Sequence, residues 1–357
     1  MAPERKPIKA DTKTKPATKK SPTPPTDEQL DDFEAALVLD MNKTFAESSM
    51  LLDDTDKGQV TFWLPSGNPW LDKELGGGYP GGRIIEIYGP ESNGKTTVAL
   101  HAIAETQKLG GTAIFLDTEH ALDKRRAEAI GVNLKKLIYA QPETMETLFE
   151  YIEEIVLKIK EKAPDRVVTI VWDSVAATPT KSEIEGDYGD AVMGIHARIM
   201  SQAFRKITKI ISSHKVVFIC INQVRDKMNV SYGEKTSTFG GRALKFYATQ
   251  RLQVTRVGNY KEGDVIKGIQ CEATVKKNKV APPFGVAKFN ILFRNENAGM
   301  DAYGSLLDGG FEAGIFGTSK GWFDIDGKKY RRAEATEYLM ANPDKFQLYF
   351  DTMVSAQ

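Results

Sequence analysis

The stretch GPESNGKT, Gly89 to Thr96, limits the possible fold of this 357-residue chain more than any other segment. It fits the pattern G-x-x-x-x-G-K-[S/T]; the apolar run RIIEIYG precedes it and the helical stretch TTVALHAIAETQKLG follows it. The two glycines permit backbone angles that turn successive N–H groups inward around phosphate oxygens. The following helix directs its positive end at the same oxygens. The segment therefore predicts a nucleotide-binding loop in an α/β protein, and the alternative is a glycine-rich turn without a ligand.

Apolar strand-like runs alternate with helical stretches after this loop. The runs TAIFLD, LIYA, VVTIVWDS and KVVFICINQ are separated by stretches such as METLFEYIEEIVLKIKEK. Continuous apolar strands alternating with helices indicate a mostly parallel sheet with helices on both faces. Beyond residue 243 the runs RLQVTRV, GIQCEATVKKNKV and AKFNILF succeed one another without long helices. They predict an antiparallel extension of the same sheet.

Composition and sequence patterns predict four segments along the chain. Residues 1–25 hold seven Lys or Arg, six Pro and two acids, which predicts a disordered basic tail, either a solubilising linker or an arm that touches nucleic acid. Residues 26–58 begin with an amphipathic helix that would pack on its own domain or on a neighbour. Residues 59–298 form the nucleotide-binding core, and residues 299–357 form a small α+β C-terminal domain. The helix in 26–58 is predicted from a capping threonine and from apolar residues at helical spacing: Thr26, Leu30, Phe33, Leu37 and Met41.

Composition also argues against several classes of protein. Lys and Arg together number 48, as do Asp and Glu, so binding to nucleic acid would have to arise from local patches. The two cysteines, Cys220 and Cys271, show no metal-ligand spacing, and the four histidines form no cluster. No apolar run approaches the roughly 18 residues of a membrane span, and the N-terminus lacks the apolar segment of a secretory signal. We therefore expect a reducing, cytoplasmic compartment and no membrane partner.

Polar residues at the loop and at a neighbouring strand end predict a metal-assisted phosphate site. Lys95 would reach the β- and γ-phosphates, and the Thr96 hydroxyl would ligate Mg²⁺. Asp173, which follows the strand VVTIVW, would hold the same ion. In the alternative interpretation Asp173 only caps the next helix.

Hydrolysis also needs a group that orients water. Glu119 lies just past the strand TAIFLD, where ligand-facing residues of an open α/β sheet are found, and Asp117 is the competing candidate. The run KVVFICINQ ends in Asn222 and Gln223, where a side-chain amide can report on the γ-phosphate. Taken singly, any of these residues could be structural. Around one phosphate loop they form a coherent site.

Two polar, glycine-bearing segments follow the strands that carry Asp173 and Gln223. One is KSEIEGDYGDAVMGIHARIMSQAFRK, an acidic loop that leads into a helix, and the other is VRDKMNVSYGEKTSTFGGRALKFYA. The second is too long and polar for a buried turn, so it is a functional loop or disordered. Basic groups on a helix usually form only a solvated face. A loop attached to a γ-phosphate sensor can, however, be ordered by ATP and can hold a phosphodiester backbone through Lys, Arg and N–H groups.

The motifs of this chain resemble those of the bacterial RecA-type recombinases. The resemblance is carried by EIYGPESNGKTT, DTEHALD, DSVAA, KSEIEGDYGD, MGIHARIMSQA, INQVR, GGRALKFYA and VKKNKVAPPF, and it is strong over roughly residues 60–295. It implies an α/β fold with a P-loop NTPase core of the RecA type. It also implies an ATP-dependent recombinase that forms a helical filament on single-stranded DNA, pairs it with duplex DNA and exchanges strands. A single-strand binding protein or loading mediators are further partners that it suggests, and the source is either a bacterium or a phage.

The resemblance also assigns roles in the nucleotide site. Lys95, Glu119 and Gln223 would be catalytic, with Glu119 activating the attacking water and Gln223 coupling the γ-phosphate to the long loop. Thr96 would bind Mg²⁺ directly, and Asp173 through water. Lys277 and Lys279 would reach ATP bound to the adjacent subunit. The full set that would contact the nucleotide is Gly89, Pro90, Glu91, Ser92, Asn93, Gly94, Lys95, Thr96, Thr97, Asp123, Arg126, Asp173, Lys277 and Lys279.

The resemblance further identifies two DNA-binding loops, residues 185–193 and 224–239. Lys245 and Phe246 match a subunit-interface segment, and the N-terminal helix would pack on a neighbouring subunit. The residues that would contact DNA are Met193, Arg198, Ser201, Arg205, Arg225, Lys227, Met228, Tyr232, Gly240 and Gly241.

The chain departs from the family pattern at several places. Arg126 occupies the position where the family commonly places a tyrosine over the adenine, and Tyr232 stands where phenylalanine is usual. A basic N-terminal tail replaces the strongly acidic C-terminal tail of many members, which suggests less autoinhibited binding of duplex DNA. Two other functions remain open at this point: a recombination mediator that hydrolyses ATP weakly, and a DNA helicase built on the same core.

Overall fold

The computed structural model describes residues 27–45, 49–51, 59–187, 194–226, 236–293, 298–317 and 321–355. The chain divides into two compact units, Met1–Gln59 and Val60–Gln357. The predicted basic tail, residues 1–25, lies outside the described residues.

The first unit contains the helix α1 (Asp27–Phe45), as the apolar spacing predicts. Its apolar side chains Phe33, Leu37 and Met41 are 62%, 49% and 39% exposed. An apolar helical face in contact with water is a surface suited to a partner.

The second unit begins with a short two-stranded sheet and the nucleotide-binding half of the core. Its elements, in chain order, are β1 (Trp63–Leu64), α2 (Pro69–Leu75), β2 (Tyr79–Pro80), β3 (Arg83–Gly89), α3 (Lys95–Lys108), β4 (Thr112–Asp117), α4 (Lys124–Ile130), β5 (Leu137–Ala140), α5 (Met145–Lys162), β6 (Val168–Asp173), α6 (Lys181–Glu185), α7 (Ile195–Ser213) and β7 (Val217–Asp226). A 3₁₀ turn, Leu134–Lys136, precedes β5.

The remaining elements extend the sheet and form the C-terminal part of the unit. They are β8 (Thr236–Thr238), α8 (Ala243–Tyr247), β9 (Gln250–Glu262), β10 (Val265–Asn278), β11 (Val286–Leu292), β12 (Gly299–Met300), α9 (Ala302–Glu312), β13 (Phe323–Ile325), β14 (Lys328–Tyr330), α10 (Arg332–Ala341) and α11 (Pro343–Ser355). The helices α9 and α11 pack on α2.

The central sheet has the strand order β12-β11-β10-β9-β3-β7-β6-β4-β5, and β8 pairs with the end of β7. The strands from β3 to β5 are parallel, as predicted. The antiparallel extension is present in β10, β11 and β12. Its first strand differs from the prediction, because β9 runs parallel to β3. After β7 the chain returns through α8 to the start of β9, on the other side of β3, and this crossover makes β9 parallel to β3.

Apolar side chains cover both faces of the sheet. Along β3, Ile85 and Ile87 belong to a core cluster with α3, whereas Ile84 belongs to a second cluster with α5 and α7. Successive strand residues point to opposite faces, so a sheet with helices on both sides needs continuous apolar strands. In the described residues, none of the helices combines the length and apolar character that crossing a membrane requires.

Candidate nucleotide site

The phosphate loop joins the end of β3 to the first turn of α3. Ser92 and Gly94 have φ values of 58° and 90°, which bend the backbone around the start of the helix. A Cβ atom at Gly94 would lie 2.2 Å from Cδ1 of Ile291, a buried residue of β11. The backbone angle therefore favours glycine here, and any larger residue would also have to displace the end of the Ile291 side chain.

A cavity of about 650 Å³ opens above this loop. The loop, the ends of the parallel strands and the first strands of the extension all contribute to its walls. Its lining consists of Glu91, Ser92, Asn93, Gly94, Lys95, Thr96, Thr97, Glu119, Arg126, Asp173, Gln223, Arg256, Ile269 and Phe293. A slightly larger cavity, about 720 Å³, lies near the starts of β6 and β7 between the ends of α5 and α7. The phosphate-loop cavity is the better nucleotide candidate, because the phosphate loop and the first turn of α3 line it.

Three polar residues that line the cavity are Lys95, Thr96 and Asp173. The Thr96 hydroxyl donates to Oδ2 of Asp173 at 2.7 Å, and Lys95 Nζ donates to the Pro90 carbonyl at 2.7 Å. Burial lowers the pKa of Lys95 despite the nearby acids. Burial also raises the pKa of Asp173 to about 7, and Glu119 and Asp117 add to this shift, whereas the Thr96 hydrogen bond and Lys95 oppose it.

The same oxygens fit a magnesium ion. Mg²⁺ is usually held by one or two protein oxygens together with substrate phosphates, and a hydroxyl and a carboxylate meet at this point. A cation would also stabilise the ionised form of a carboxyl group whose pKa burial has raised. In the described part of the chain there is no group of three or more His, Cys, Asp or Glu side chains that could hold a metal by themselves.

The two candidate acids at the end of β4 have different surroundings. Asp117 is 1% exposed, and its carboxylate accepts from the N–H groups of Ala121 and Leu122 and from the Tyr139 hydroxyl at 2.9 Å. Glu119 faces the cavity. Asp117 thus holds the turn that carries Glu119, and the geometry favours Glu119 over Asp117 as the water-orienting group.

Glu119 is held through one of its two oxygens. Its Oε1 accepts from the Ser174 hydroxyl and, at 3.1 Å, from Nε2 of Gln223. The neighbouring amide, Asn222, is buried and donates instead to Glu86 and to the Phe239 carbonyl, both at 3.0 Å. Gln223 is therefore the amide that faces the cavity, and Asn222 ties the strand to the segment after β8.

Arg126 and Asp123 lie on the turn and helix that follow Glu119. Arg126 lines the cavity, and its Nη2 donates to the Thr97 hydroxyl at 2.9 Å. Asp123 caps α4 by accepting from the N–H groups of Arg125 and Arg126. Asp123 is not among the residues that line this cavity.

The two lysines of VKKNKV lie away from the chain's own cavity. Lys277 Nζ donates to the carbonyls of Lys245 and Phe246, at 2.7 and 3.1 Å, and Lys279 Nζ lies 5.8 Å from the Phe246 ring centroid. Burial lowers the pKa of Lys277 to about 8, and the nearby cations Lys279 and Arg251 add to the effect. The strand β9 runs parallel to β3, and β10 runs antiparallel to both. The end of β10 at Asn278 therefore lies at the opposite end of the strands from the phosphate loop, which follows β3.

The structure brings together several of the predicted DNA contacts. Arg198 and Arg205 are exposed on α7, and the Ser201 hydroxyl donates to the Ala197 carbonyl. Gly240 and Gly241 have φ values of 81° and 70° and lie close against α7. The Arg225 guanidinium lies 4.4 Å from the Phe239 ring centroid. Four predicted contacts lie outside the described residues: Met193, Lys227, Met228 and Tyr232.

Sequence reasoning missed several residues of this site. Ser174 directly follows Asp173, and that adjacency could have identified it. Arg256, Ile269 and Phe293 come from the extension strands and the segment after them. Their role in the lining depends on which strand lies beside β3, and local sequence gives no signal for that.

A phosphate loop between a strand and a helix, with acid and amide groups on the adjacent strand ends, defines a P-loop nucleotide-binding protein of the α/β class. The family model described as the RecA N-terminal domain matches residues 32–298, and the chain belongs to the RecA family. It is 43% identical to Protein RecA 1 of Myxococcus xanthus over 314 residues, which are 87% of this chain and 89% of that protein. It is 44% identical to Protein RecA of Bacillus subtilis over 323 residues, 88% and 90% of the two chains.

Proposed function

We infer that this chain has the activity of its family: it is an ATP-dependent DNA recombinase that hydrolyses ATP when it is bound to DNA. The observation that carries the inference is the contact of Gln223 with Glu119. Gln223 lies on β7, which extends to Asp226 and so contains the first residues of the predicted second DNA loop, 224–239. A change in that loop on binding DNA would therefore reach the group that orients water.

The nucleotide is proposed to be ATP, bound with Mg²⁺. Backbone N–H groups of the phosphate loop and Lys95 would hold the phosphates. Mg²⁺ held by Thr96, and by Asp173 through water, would offset the phosphate charge. Glu119 would accept a proton from the attacking water with its Oε2, because Oε1 is occupied by Ser174 and Gln223. Arg126 and Phe293 are available to contact the base or ribose.

Self-assembly is part of the proposal. Lys277 and Lys279 lie at the end of the sheet opposite the chain's own cavity, so they would reach nucleotide only on a neighbouring subunit. Hydrolysis would then depend on filament formation along single-stranded DNA. Strand exchange needs no covalent chemistry on DNA, because base pairing reads the sequence while the protein holds the backbone. A single-strand binding protein and loading mediators are proposed as further partners.

The decisive experiment measures ATP hydrolysis with and without single-stranded DNA for the wild type and for Glu119→Gln. We expect strong stimulation by DNA in the wild type and a loss of at least about 100-fold in Glu119→Gln, because the amide cannot accept a proton. Binding of ATP should persist in this variant, since Glu119 does not belong to the phosphate cradle.

The matched control is Glu128→Gln, which makes the same change at an exposed position on α4. This variant should retain wild-type hydrolysis. If DNA leaves hydrolysis by the wild-type protein unchanged while ATP still binds, the proposed coupling is wrong and a weakly hydrolysing mediator becomes the better description.

A further inference from the structure

His196 is a buried histidine that the nucleotide site does not use. It is the second residue of α7 and is 9% exposed. Its Nε2 lies 3.2 Å from the Thr178 carbonyl, so Nε2 carries the proton and donates to that oxygen. Its Nδ1 is buried and has no hydrogen-bond partner among the described residues. Among the described residues, the imidazole makes one hydrogen bond and one aromatic ring contact.

The ring contact of His196 is Phe239, the residue before Gly240. The two ring centroids are 4.5 Å apart, and the rings are nearly perpendicular at 88°. The Phe239 ring also makes a cation–π contact with Arg225, whose guanidinium lies 4.4 Å from the ring centroid. Phe239 thus contacts both a buried imidazole and an exposed cation that is a predicted DNA contact.

Thr178, the hydrogen-bond partner of His196, connects with the nucleotide site. Its Oγ1 lies 2.8 Å from the Ser174 carbonyl and 2.9 Å from the Thr118 hydroxyl. The Ser174 hydroxyl donates to Glu119, and Thr118 directly precedes Glu119 in the chain. Contacts consequently run without interruption from Arg225 through Phe239, His196, Thr178 and Ser174 to Glu119.

We propose that His196 is a positioning residue that couples the binding of DNA phosphate at Arg225 to the orientation of Glu119. The proposal rests on the proposed function, since it concerns how DNA stimulates hydrolysis. A phosphate that binds the Arg225 guanidinium draws it away from the Phe239 ring. Phe239 then loses one of its two ring contacts, and its side chain shifts relative to the imidazole of His196. This shift turns the imidazole of His196. Because the imidazole is hydrogen-bonded to the Thr178 carbonyl, Thr178 moves with it. Thr178 in turn contacts the Ser174 carbonyl, so the Ser174 hydroxyl that donates to Glu119 also moves.

This route is separate from the one through Gln223. Gln223 contacts Glu119 directly from β7, whereas His196 acts from the start of α7 through the segment that follows Asp173. Both reach the same oxygen of Glu119. DNA that engages only one of the two routes would stimulate hydrolysis incompletely.

The test compares the wild type with His196→Ala, His196→Gln and Phe239→Leu in the full-length protein. The steady-state kcat and KM for ATP are measured without DNA and with saturating oligo-dT, and oligo-dT affinity is measured by fluorescence anisotropy. In His196→Ala we expect the DNA-stimulated kcat to fall about tenfold, within the range of coupling energies between sites. The DNA-free kcat, the KM and the oligo-dT affinity should remain within about twofold of the wild-type values.

Two further results are expected if His196 acts as proposed. His196→Gln should recover most of the stimulation, because its amide can donate to the Thr178 carbonyl. Phe239→Leu should lose a similar amount, and the double variant His196→Ala/Phe239→Leu should lose no more than either single variant. The matched control is His214→Ala at the other end of α7, which should be stimulated like the wild type.

Full stimulation of His196→Ala would overturn the proposal. Equal loss of hydrolysis with and without DNA would also overturn it, since it would show a packing role alone. If His196→Ala does not melt cooperatively, His196→Gln and Phe239→Leu decide the question, because both keep the site filled. Absence of stimulation in the wild type would instead overturn the proposed function itself, which makes the two failures distinguishable.

Discussion

Asp117 and Glu119 stand two positions apart, and their surroundings give them different chemistry. Asp117 is buried and accepts hydrogen bonds from two backbone N–H groups and a tyrosine hydroxyl. Such a carboxylate fixes a turn and has little capacity left for a reacting water. Glu119 is exposed to the cavity and keeps one oxygen available. The hydrogen-bond partners of each carboxylate therefore decide which of these two acids is available to bind a reacting water.

The protonation of His101 can be used to test how burial changes the behaviour of a single side chain. It is buried on α3, its Nε2 accepts the Met300 N–H at 2.8 Å, and burial lowers its pKa to about 3. In the unfolded chain the imidazole is exposed to water and titrates near the ordinary histidine pKa of 6.5. Between pH 6.5 and about 3, the unfolded chain therefore binds a proton that the folded chain does not. The contribution of His101 to stability is complete above pH 6.5 and is lost as the pH falls through this window.

We predict that His101→Gln makes the free energy of unfolding less dependent on pH below pH 6.5. Its amide oxygen can accept the Met300 N–H but does not titrate, so a slope of about 1.4 kcal/mol per pH unit should be absent below pH 6.5. Urea unfolding at a series of pH values measures this difference. The control His214→Gln makes the same substitution at a partly exposed position directly after α7. Parallel curves for wild type and His101→Gln would contradict the prediction.

Among the elements, the phosphate loop depends on a strand that is remote in sequence. The side chain of Ile291, on β11, lies where a Cβ atom at Gly94 would be placed. The antiparallel extension therefore packs against the phosphate loop, besides lengthening the sheet.

We predict that Gly94→Ala lowers nucleotide affinity at least about tenfold. The alanine would have to adopt a φ of 90°, at a cost of about 1–2 kcal/mol, and would also contact Ile291. Adding Ile291→Val removes the contacting Cδ1 atom and should restore part of the affinity. Isothermal titration with ATP or a non-hydrolysable analogue measures both effects.

The control for Gly94→Ala is Gly110→Ala. Gly110 also has a positive φ, 73°, but a Cβ atom there would meet nothing within 4 Å. Gly110→Ala should cost about 1–2 kcal/mol of stability and leave nucleotide affinity unchanged. If Ile291→Val restores nothing to Gly94→Ala, the close approach of β11 does not determine the affinity.

For the whole molecule, the main consequence of the strand directions is that the cavity and the lysines of VKKNKV, Lys277 and Lys279, lie at opposite ends of the sheet. In the chain itself, Lys277 contacts the carbonyls at the end of α8. A complete catalytic site would then combine the cavity of one subunit with the lysines of another.

We predict complementation between variants that are impaired at opposite ends of the sheet. Lys95→Ala and Lys277→Met/Lys279→Met should each show little DNA-stimulated hydrolysis alone. In a one-to-one mixture, about a quarter of randomly formed interfaces contain an intact cavity and intact lysines, so activity should approach about a quarter of the wild-type value. The steady-state rate on single-stranded DNA measures this.

The control mixture combines Lys95→Ala with Glu119→Gln. Both changes affect the cavity, so no interface in this mixture is intact and the rate should stay low. Equal rates in the two mixtures would contradict a site shared between subunits.

The sequence by itself determined the elements and much of the nucleotide site. Gly89 to Thr96 have angle requirements and a flanking strand and helix that are local, so their structure could be predicted from neighbouring residues. The parallel order of the strands follows from the alternation of apolar runs with helices. Asp173, Glu119 and Gln223 could be placed near the loop because the ends of parallel strands meet at one edge of a sheet.

Only the tertiary structure decided which side chains meet across the sheet. The parallel direction of β9, the approach of Ile291 to Gly94 and the entry of Arg256 and Phe293 into the cavity depend on contacts between residues far apart in sequence. Without the family resemblance, the local sequence leaves Asp117 and Glu119 both open, and only the structure shows that the Asp117 carboxylate accepts the backbone N–H groups. His196 was one of four scattered histidines in the sequence, and it acquires its place between Thr178 and Phe239 because α7 packs against the segments that follow β6 and β8. The spacing of apolar residues predicts the helices and strands, whereas contacts between distant residues decide which side chains share a site.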